Sequence, residues 1–363
     1  MKLKVLAAMA FLMLTVAATA QRGPGPRAVP KFEPDPFWPK PLPNKWMMGQ
    51  VGGTYVDSHD HLWVTTRPRS LDDHDKYAAS NKADCCIAPP PILEFDQAGN
   101  VVQGWGGPGP GYEWPDLEHG IFVDYKENVW ITGNGGKDTN ILKFTRNGKF
   151  LLQIGHHGKS GGNNDTENLN RPAGIVVYPK TNEVLIADGY NNRRVIVFDA
   201  DTGAFKRMWG AYGNKPDDNA PRTRVYEGPG SPQFNLLHGI RISNDGLVYV
   251  ADRVNSRIQV FKPEGTFVKE GYIERKTSSN EGTAFDIAFS PDKQQQFIYV
   301  PDGSNKKVQI LNRDSLEVVG FFGGYGGHGA GQFFHVHSIA SDSKGNIYLG
   351  ESFGARVLKW AAK

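Results

Sequence analysis

The sequence predicts an all-β protein, a six-bladed β-propeller, and three observations carry that prediction. Short β-rich runs recur in pairs around turns of Asp, Asn, Gly or Pro; the paired unit recurs six times; and no segment between the runs has the length and periodicity of an amphipathic helix. The last observation sets aside a parallel α/β sheet, which needs such helices between its strands.

Residues 1–20 stand apart from this pattern. Lys2 and Lys4 precede a run that is apolar from Val5 to Ala17 and ends at Ala18-Thr19-Ala20, small residues of the kind cleaved in secretory signal peptides. Cleavage is expected after Ala20 and a secreted or periplasmic location follows from it. The apolar run is too short to span a bilayer comfortably and no later stretch matches it, so no membrane span is expected. Residues 21–46 are rich in Pro and Gly and read as an extended arm, and residues 47–363 read as the propeller.

The six units are VGGTYVDSHDHLWVTT, EHGIFVDYKENVWITG, PAGIVVYPKTNEVLIAD, LHGIRISNDGLVYVAD, AFDIAFSPDKQQQFIYVPD and VHSIASDSKGNIYLGE. Most continue into a third strand and a hairpin to a fourth, as in NILKFTRNGKFLLQIG, RVIVFDADTGAFKRMWG and RIQVFKPEGTFVKEG, where Asn-Gly, Thr-Gly or Glu-Gly marks the turn. Six units of about four strands each are the pattern of a propeller. The sixth supplies only about three strands before Lys363, so the arm, around Phe37 to Met47, is expected to add the missing outer strand.

Charge narrows the partners. The formal net charge of +3 includes Lys2 and Lys4, acids and bases are interspersed, and there is no Lys/Arg run, so neither nucleic acid nor an anionic membrane is an expected partner. A monomer acting on a small molecule or a peptide is the expectation.

Stacking the units on the residue before the glycine, or its equivalent, that opens each innermost strand gives Gly52, His119, Ala173, His238, Phe285 and His337. Histidine occupies alternate blades. Innermost strands surround the central channel, so these positions form a ring and the three imidazoles converge near its mouth. A lone histidine here would merely bond a backbone carbonyl, but three in alternation predict a metal site with an open position, as in catalytic zinc. Zinc is the expected ion, and copper, iron or manganese also suit imidazole.

In each blade the second strand returns to the histidine end, so the loops after it share that face. Those loops contribute Arg67, Tyr190 and Arg253. A phenol beside a divalent cation is a plausible base, and arginine offers a planar fork to a carboxylate. Arg193, Arg194 and Arg257 are expected to tie down neighbouring turns instead.

Cys85 and Cys86 lie in the long insertion between Arg67 and PILEFDQAGN, on the same expected face. Adjacent cysteines cannot form an ordinary loop-closing disulfide and lack the spacing of a zinc site. An oxidising compartment favours a bond between the neighbours, giving a rigid surface for substrate; two reduced thiols packed as small hydrophobes, or a direct ligand role for either sulfur, are the alternatives.

The stretches HGIFVD, IADGYNNRRVIVF, LLHGIRISNDGLVYVADRVNSRIQVF and HVHSIASDSKGNIYLGE, in that order, resemble the peptidyl-α-hydroxyglycine α-amidating lyases, a family of six-bladed propellers built from NHL-type repeats. The resemblance extends from about Val51 over nearly all the remaining chain. It implies a catalytic zinc held by His119, His238 and His337, a catalytic tyrosine at Tyr190, and active-site arginines at Arg67 and Arg253.

Three positions depart from the family pattern. His335 stands where the family has methionine, as a fourth ligand, a proton carrier or a residue lining the substrate side. Ser338 replaces the aspartate that helps hold a structural calcium, which leaves calcium doubtful. Asn191 replaces a disulfide cysteine. No copper hydroxylase domain accompanies the matched stretch, so a peptide substrate is not implied by the match alone.

The implied reaction is a metal-dependent carbon–nitrogen cleavage of a carbinolamide, N–CH(OH)–COO⁻, into an amide and an α-keto acid such as glyoxylate. A propeller hydrolase of the lactonase type and a binding scaffold without catalysis are the other readings. The sequence has no convincing Ser/His/Asp arrangement, and GWGGPGPG lies between blades, without the strand-to-helix context of a phosphate loop.

Overall fold

The computed structural model describes residues 28–71, 75, 77, 80, 82 and 84–363. The expected signal segment and the first part of the arm lie outside the described residues. Strand β1 (Phe32–Asp35) comes first in the chain but belongs to the last sheet. Blade one is β2 (Gln50–Val56), β3 (Leu62–Arg67), β4 (Ile92–Phe95) and β5 (Val101–Trp105), and blade two is β6 (Glu118–Val123), β7 (Val129–Gly133), β8 (Asn140–Phe144) and β9 (Phe150–Gly155). Blade three holds β10 (Gly174–Tyr178), β11 (Glu183–Asp188), β12 (Arg194–Asp199) and β13 (Phe205–Trp209). Blade four holds β14 (Leu237–Ile242), β15 (Val248–Asp252), β16 (Arg257–Phe261) and β17 (Phe267–Tyr272). Blade five is β18 (Ala288–Phe289), β19 (Phe297–Asp302), β20 (Lys307–Asn312) and β21 (Val318–Gly323), and blade six is β22 (Val336–Ser341), β23 (Ile347–Glu351) and β24 (Arg356–Ala362) with β1.

The molecule is therefore an all-β six-bladed propeller. Middle strands such as LWVTTR and VWITG are buried along their whole length, because blades stack on both of their faces. Outer strands such as FLLQIG and VVGFFG mix exposed and half-buried positions. The innermost β2 packs on both β6 and β22, so first and last blades meet and the ring is closed.

The strand completing the sixth sheet is β1, which pairs Phe32 with Ala362 and Asp35 with Lys359. It lies earlier in the arm than the expected Phe37–Met47. Pro39, Pro41 and Pro43 explain the difference: proline has no N–H to give a ladder. That stretch instead packs Trp38, Leu42 and Trp46 against the core between blades six and one. β1 tolerates Pro34 because it is an outer strand with one edge free.

Two recurrent side-chain pairs make the repeats rigid. An aspartate at the end of the first strand accepts from an aromatic residue on the second, as in Asp57–Trp63 (2.9 Å), Asp124–Trp130 (2.9 Å) and Asp342–Tyr348 (3.1 Å). An acid at the end of the second strand pairs with the arginine opening the third, as in Asp188–Arg194 (2.9 Å), Asp252–Arg257 (2.7 Å) and Glu351–Arg356 (2.6 Å). Breaking one such buried pair costs roughly 3–5 kcal/mol, because the remaining charge is left without compensation. These pairs also clamp the loops that carry the site. Among the described residues no helix is long and apolar enough to cross a membrane.

Candidate metal centre

Each ring histidine sits at an irregularity of its strand. β14 pairs Leu237 with Asp252 and Gly239 with Ala251, leaving His238 as the extra residue of a bulge. His337 is the extra residue between the pairs Val336–Glu351 and Ser338–Gly350, and His119 falls in the break between Glu118–Gly133 and Ile121–Ile131. A bulge re-aims a side chain that regular alternation would send elsewhere. The three rings consequently meet, with centroids 4.7 to 4.9 Å apart and planes 76° to 90° from one another.

One nitrogen of each ring is committed to the backbone. His119 Nδ1 lies 3.1 Å from the Ala173 carbonyl oxygen, His238 Nδ1 2.5 Å from that of Phe285, and His337 Nδ1 2.9 Å from that of Gly52. A carbonyl only accepts, so Nδ1 carries the proton and Nε2 keeps its lone pair. The acceptors are the ring residues of the three blades that lack histidine: one half of the ring orients the other. Gly120 makes this approach feasible, because a Cβ there would press into the Ala173 carbonyl that His119 uses.

The histidines fit a metal. Their ligand atoms lie within 4.8 Å of one another, and all three side chains are buried. Burial holds the His119 imidazole well below its ordinary pKa of 6.5, and the charges of Arg67, Arg253 and Arg171 push the same way. Burial and the neighbouring rings do likewise for His238 and His337. Three neutral imidazoles with second nitrogens held by backbone carbonyls are ligands with fixed tautomers.

Tyr190 reaches this cluster from the loop after β11. Its hydroxyl lies 3.0 Å from His119 Nε2 and 3.3 Å from His238 Nε2. Asp188 anchors the loop by accepting from Asn170 N, Asn192 Nδ2 and Arg194 Nε. Gly189 lets the loop lie against the Leu237 backbone, where a Cβ would have no room.

Arg67 is buried, but its fork is filled by neutral acceptors: Glu118 O (2.7 Å), Gln50 Oε1 (3.2 Å) and Asn134 Oδ1 (3.2 Å). It ties blade one to blade two beside His119. Arg253 follows the clamped Asp252, stacks on the Phe285 ring at 3.8 Å from its centroid, and meets Glu281 through Nη2 to Oε2 at 3.2 Å. Arg193, Arg194 and Arg257 all bind backbone or the clamp acids, the structural role expected of them.

His335 stands beside the ring without joining the cluster. Its Nε2 bonds Glu281 Oε2 at 2.8 Å and its Nδ1 bonds Ser352 Oγ at 2.7 Å, so both nitrogens are engaged elsewhere. A cavity of about 440 Å³ lined by Phe333, Phe334, Phe353 and Lys306 opens against it. Cys85 and Cys86 are bonded to each other. Among the described residues no hydrogen bond, ion pair or ring contact links them to the histidines.

Sequence reading missed Arg171, Glu281 and Asn134. Arg171 lies over the Tyr190 ring at 5.3 Å and donates to Asn134 O. The stacked repeats held a signal for it, since Arg171 and His335 each stand two residues before a ring position. Glu281 had none: it sits in an irregular loop between blades.

Behind the histidines a cavity of about 20 Å³ is lined by Thr54, Arg241, Asp286 and Ser338. Arg241 Nη2 pairs with Asp286 Oδ2 at 3.1 Å. A calcium ion there would face the Arg241 guanidinium, find the Asp286 carboxylate already paired with it, and gain otherwise only the neutral side-chain hydroxyls of Thr54 and Ser338, so these side chains do not suit it. A separate cavity of about 650 Å³, lined by Tyr55, Tyr178, Asn244 and Phe289, opens at the far end of the channel.

Comparison with known proteins adds relatives to this geometry. An NHL repeat model matches residues 234–261. The chain is 27% identical over 326 residues to a peptidylglycine alpha-amidating monooxygenase of Rattus norvegicus, covering 86% of this chain and 30% of that protein. It is 25% identical over 322 residues to peptidyl-alpha-hydroxyglycine alpha-amidating lyase 1 of Drosophila melanogaster, covering 83% and 53%. A human NHL repeat-containing protein 3 is 29% identical over 237 residues, covering 63% and 58%. Thus the chain is related to the amidating enzymes at moderate identity, and it spans about a third of the length of the monooxygenases. Among solved structures a streptogramin B lyase covers 92% of this chain and 98% of its own with a TM-score of 0.53 and 14% identity, a likeness of fold alone.

Proposed function

We propose that the chain is a metal-dependent carbon–nitrogen lyase that cleaves an α-hydroxyglycine-type carbinolamide into an amide and an α-keto acid such as glyoxylate. The observation that carries this reading is the Tyr190 hydroxyl within 3.0 and 3.3 Å of two of three convergent histidine nitrogens. A proton-moving group beside a three-histidine centre suits elimination from a hydroxylated carbon, and relatives named as amidating lyases support the same chemistry.

In this reading His119, His238 and His337 hold zinc, which when bound supplies a Lewis acid for the substrate oxygen. Tyr190 acts as the phenolate, its own proton released to solvent beforehand, and so takes up the hydroxyl proton. The electrons of the O–H bond form the new C=O bond, the C–N electron pair leaves with nitrogen, and a proton returns to that nitrogen. Arg253 holds the substrate carboxylate, and Arg67, with Arg171, keeps the site positive so that an anionic substrate is drawn in and the developing charge is stabilised.

Export after cleavage at Ala20, a monomeric state and shaping of the substrate entrance by the Cys85–Cys86 pair belong to the same proposal. The decisive experiment supplies benzoyl-α-hydroxyglycine to zinc-loaded protein and measures glyoxylate, with the metal content of the same sample determined. Stoichiometric metal without glyoxylate would remove the lyase reading.

A further inference from the structure

We propose that Arg253 and His335 form a two-donor carboxylate receptor, that Glu281 occupies it as an internal stand-in, and that a substrate carboxylate binds by displacing the Glu281 side chain. The inference deepens the lyase reading and rests on it for the identity of the reaction, though not for the carboxylate binding itself.

Glu281 Oε2 lies 2.8 Å from His335 Nε2 and 3.2 Å from Arg253 Nη2, so one carboxylate oxygen bridges both donors. The donors are nearly enclosed, with side chains 7% and 10% exposed, whereas that of Glu281 is 46% exposed. An exposed acid filling an enclosed pair of donors is the arrangement of a plug.

The receptor is held without the plug. Arg253 donates through Nε to the backbone oxygen of Glu281 at 3.1 Å and stacks on Phe285. His335 is held by Ser352 Oγ and lies against Phe285 and Phe353, with ring centroids 5.5 and 4.8 Å away. Phe285 in turn touches His238 and His337, at 6.1 and 6.2 Å between centroids, so the receptor adjoins the metal centre.

The backbone at Glu281 is fixed, whereas its half-exposed side chain is held through the contacts of its carboxylate with Arg253 and His335. Gly282 has φ of +72° and lies so close to the Arg253 carbonyl that a Cβ would not fit, and Glu281 N bonds Ser279 Oγ at 3.2 Å. Exchange of one carboxylate for another therefore needs only rotation of the Glu281 side chain. The ligand class that this selects is a small α-keto or α-hydroxy carboxylate.

The test titrates sodium glyoxylate into the zinc-loaded protein by calorimetry at constant ionic strength, comparing the parent with Glu281→Gln and Glu281→Asp. Removing the competing charge should tighten glyoxylate binding about tenfold, a modest gain because the displaced pair is partly solvated. The aspartate variant, whose shorter side chain reaches the donors less well, should give an intermediate gain, and adding His335→Phe to Glu281→Gln should abolish it. Unchanged or weaker binding in variants whose melting temperature and zinc content match the parent would overturn the proposal. A parent that binds glyoxylate, with the predicted gain in the variants, but cleaves no α-hydroxyglycine amide would overturn the lyase reading and leave the receptor standing.

Discussion

His337, in the last blade, donates its Nδ1 proton to the carbonyl oxygen of Gly52, in the first, at 2.9 Å. A ligand of the candidate metal site is thus oriented across the seam where the ring closes. Replacing His337 with Ala should remove most bound metal and leave the β-sheet circular dichroism unchanged, since neither strand's ladder depends on the imidazole. The same is expected of His119 and His238; full metal content in all three variants would exclude the site.

Gly120→Ala tests the packing beneath the ligands. The added methyl meets the Ala173 carbonyl, so β6 must move away from blade three and His119 Nδ1 must lose its acceptor. Such overpacking costs roughly 1–3 kcal/mol. Both melting temperature and metal affinity should fall, whereas a variant that kept its metal would show that His119 is oriented otherwise.

Tyr190→Phe removes one hydroxyl and little else. Metal should remain, and turnover of a cleaved α-hydroxyglycine amide should drop roughly 10²-fold or more, the usual scale for a positioned proton-transfer group. Steady-state kinetics beside elemental analysis gives the answer; undiminished turnover takes the phenol out of the mechanism.

Arg67→Met separates structural from chemical roles. Glu118 O, Gln50 Oε1 and Asn134 Oδ1 would all lose their donor in a buried setting, and a buried acceptor left unmatched costs about 1–3 kcal/mol. The melting temperature should therefore fall together with activity. A variant that lost activity while melting like the parent would make Arg67 a purely chemical group.

Acid should destabilise the metal-free protein in a defined direction. The ring imidazoles have folded-state pKa values well below the unfolded reference of 6.5. As pH falls through 6.5 the unfolded chain takes up protons that the folded chain refuses, so the stability of the neutral rings is complete above that value and is lost below it. Melting of chelator-treated protein should decline as pH is lowered from about 7 to about 5 and decline less steeply in His337→Ala, which has one fewer such group.

What the sequence determined by itself was whatever repeats. Six copies of a strand–turn–strand unit fix the propeller, and alignment of the copies brings His119, His238 and His337 to one ring and Tyr190 and Arg253 to one face, because equivalent residues in a closed repeat are equivalent in space. What breaks the repeat was decided only by the tertiary structure. The closing strand fell at Phe32–Asp35 because prolines bar the later segment from a ladder. The bulges that aim the histidines break the ladder inside their own blades, while the carbonyls of Gly52, Ala173 and Phe285 that set their tautomers, and the Glu281 carboxylate between Arg253 and His335, join residues of different blades. Their contacts depend on how closely the blades approach one another, a distance set by packing around the whole ring and encoded in no single repeat.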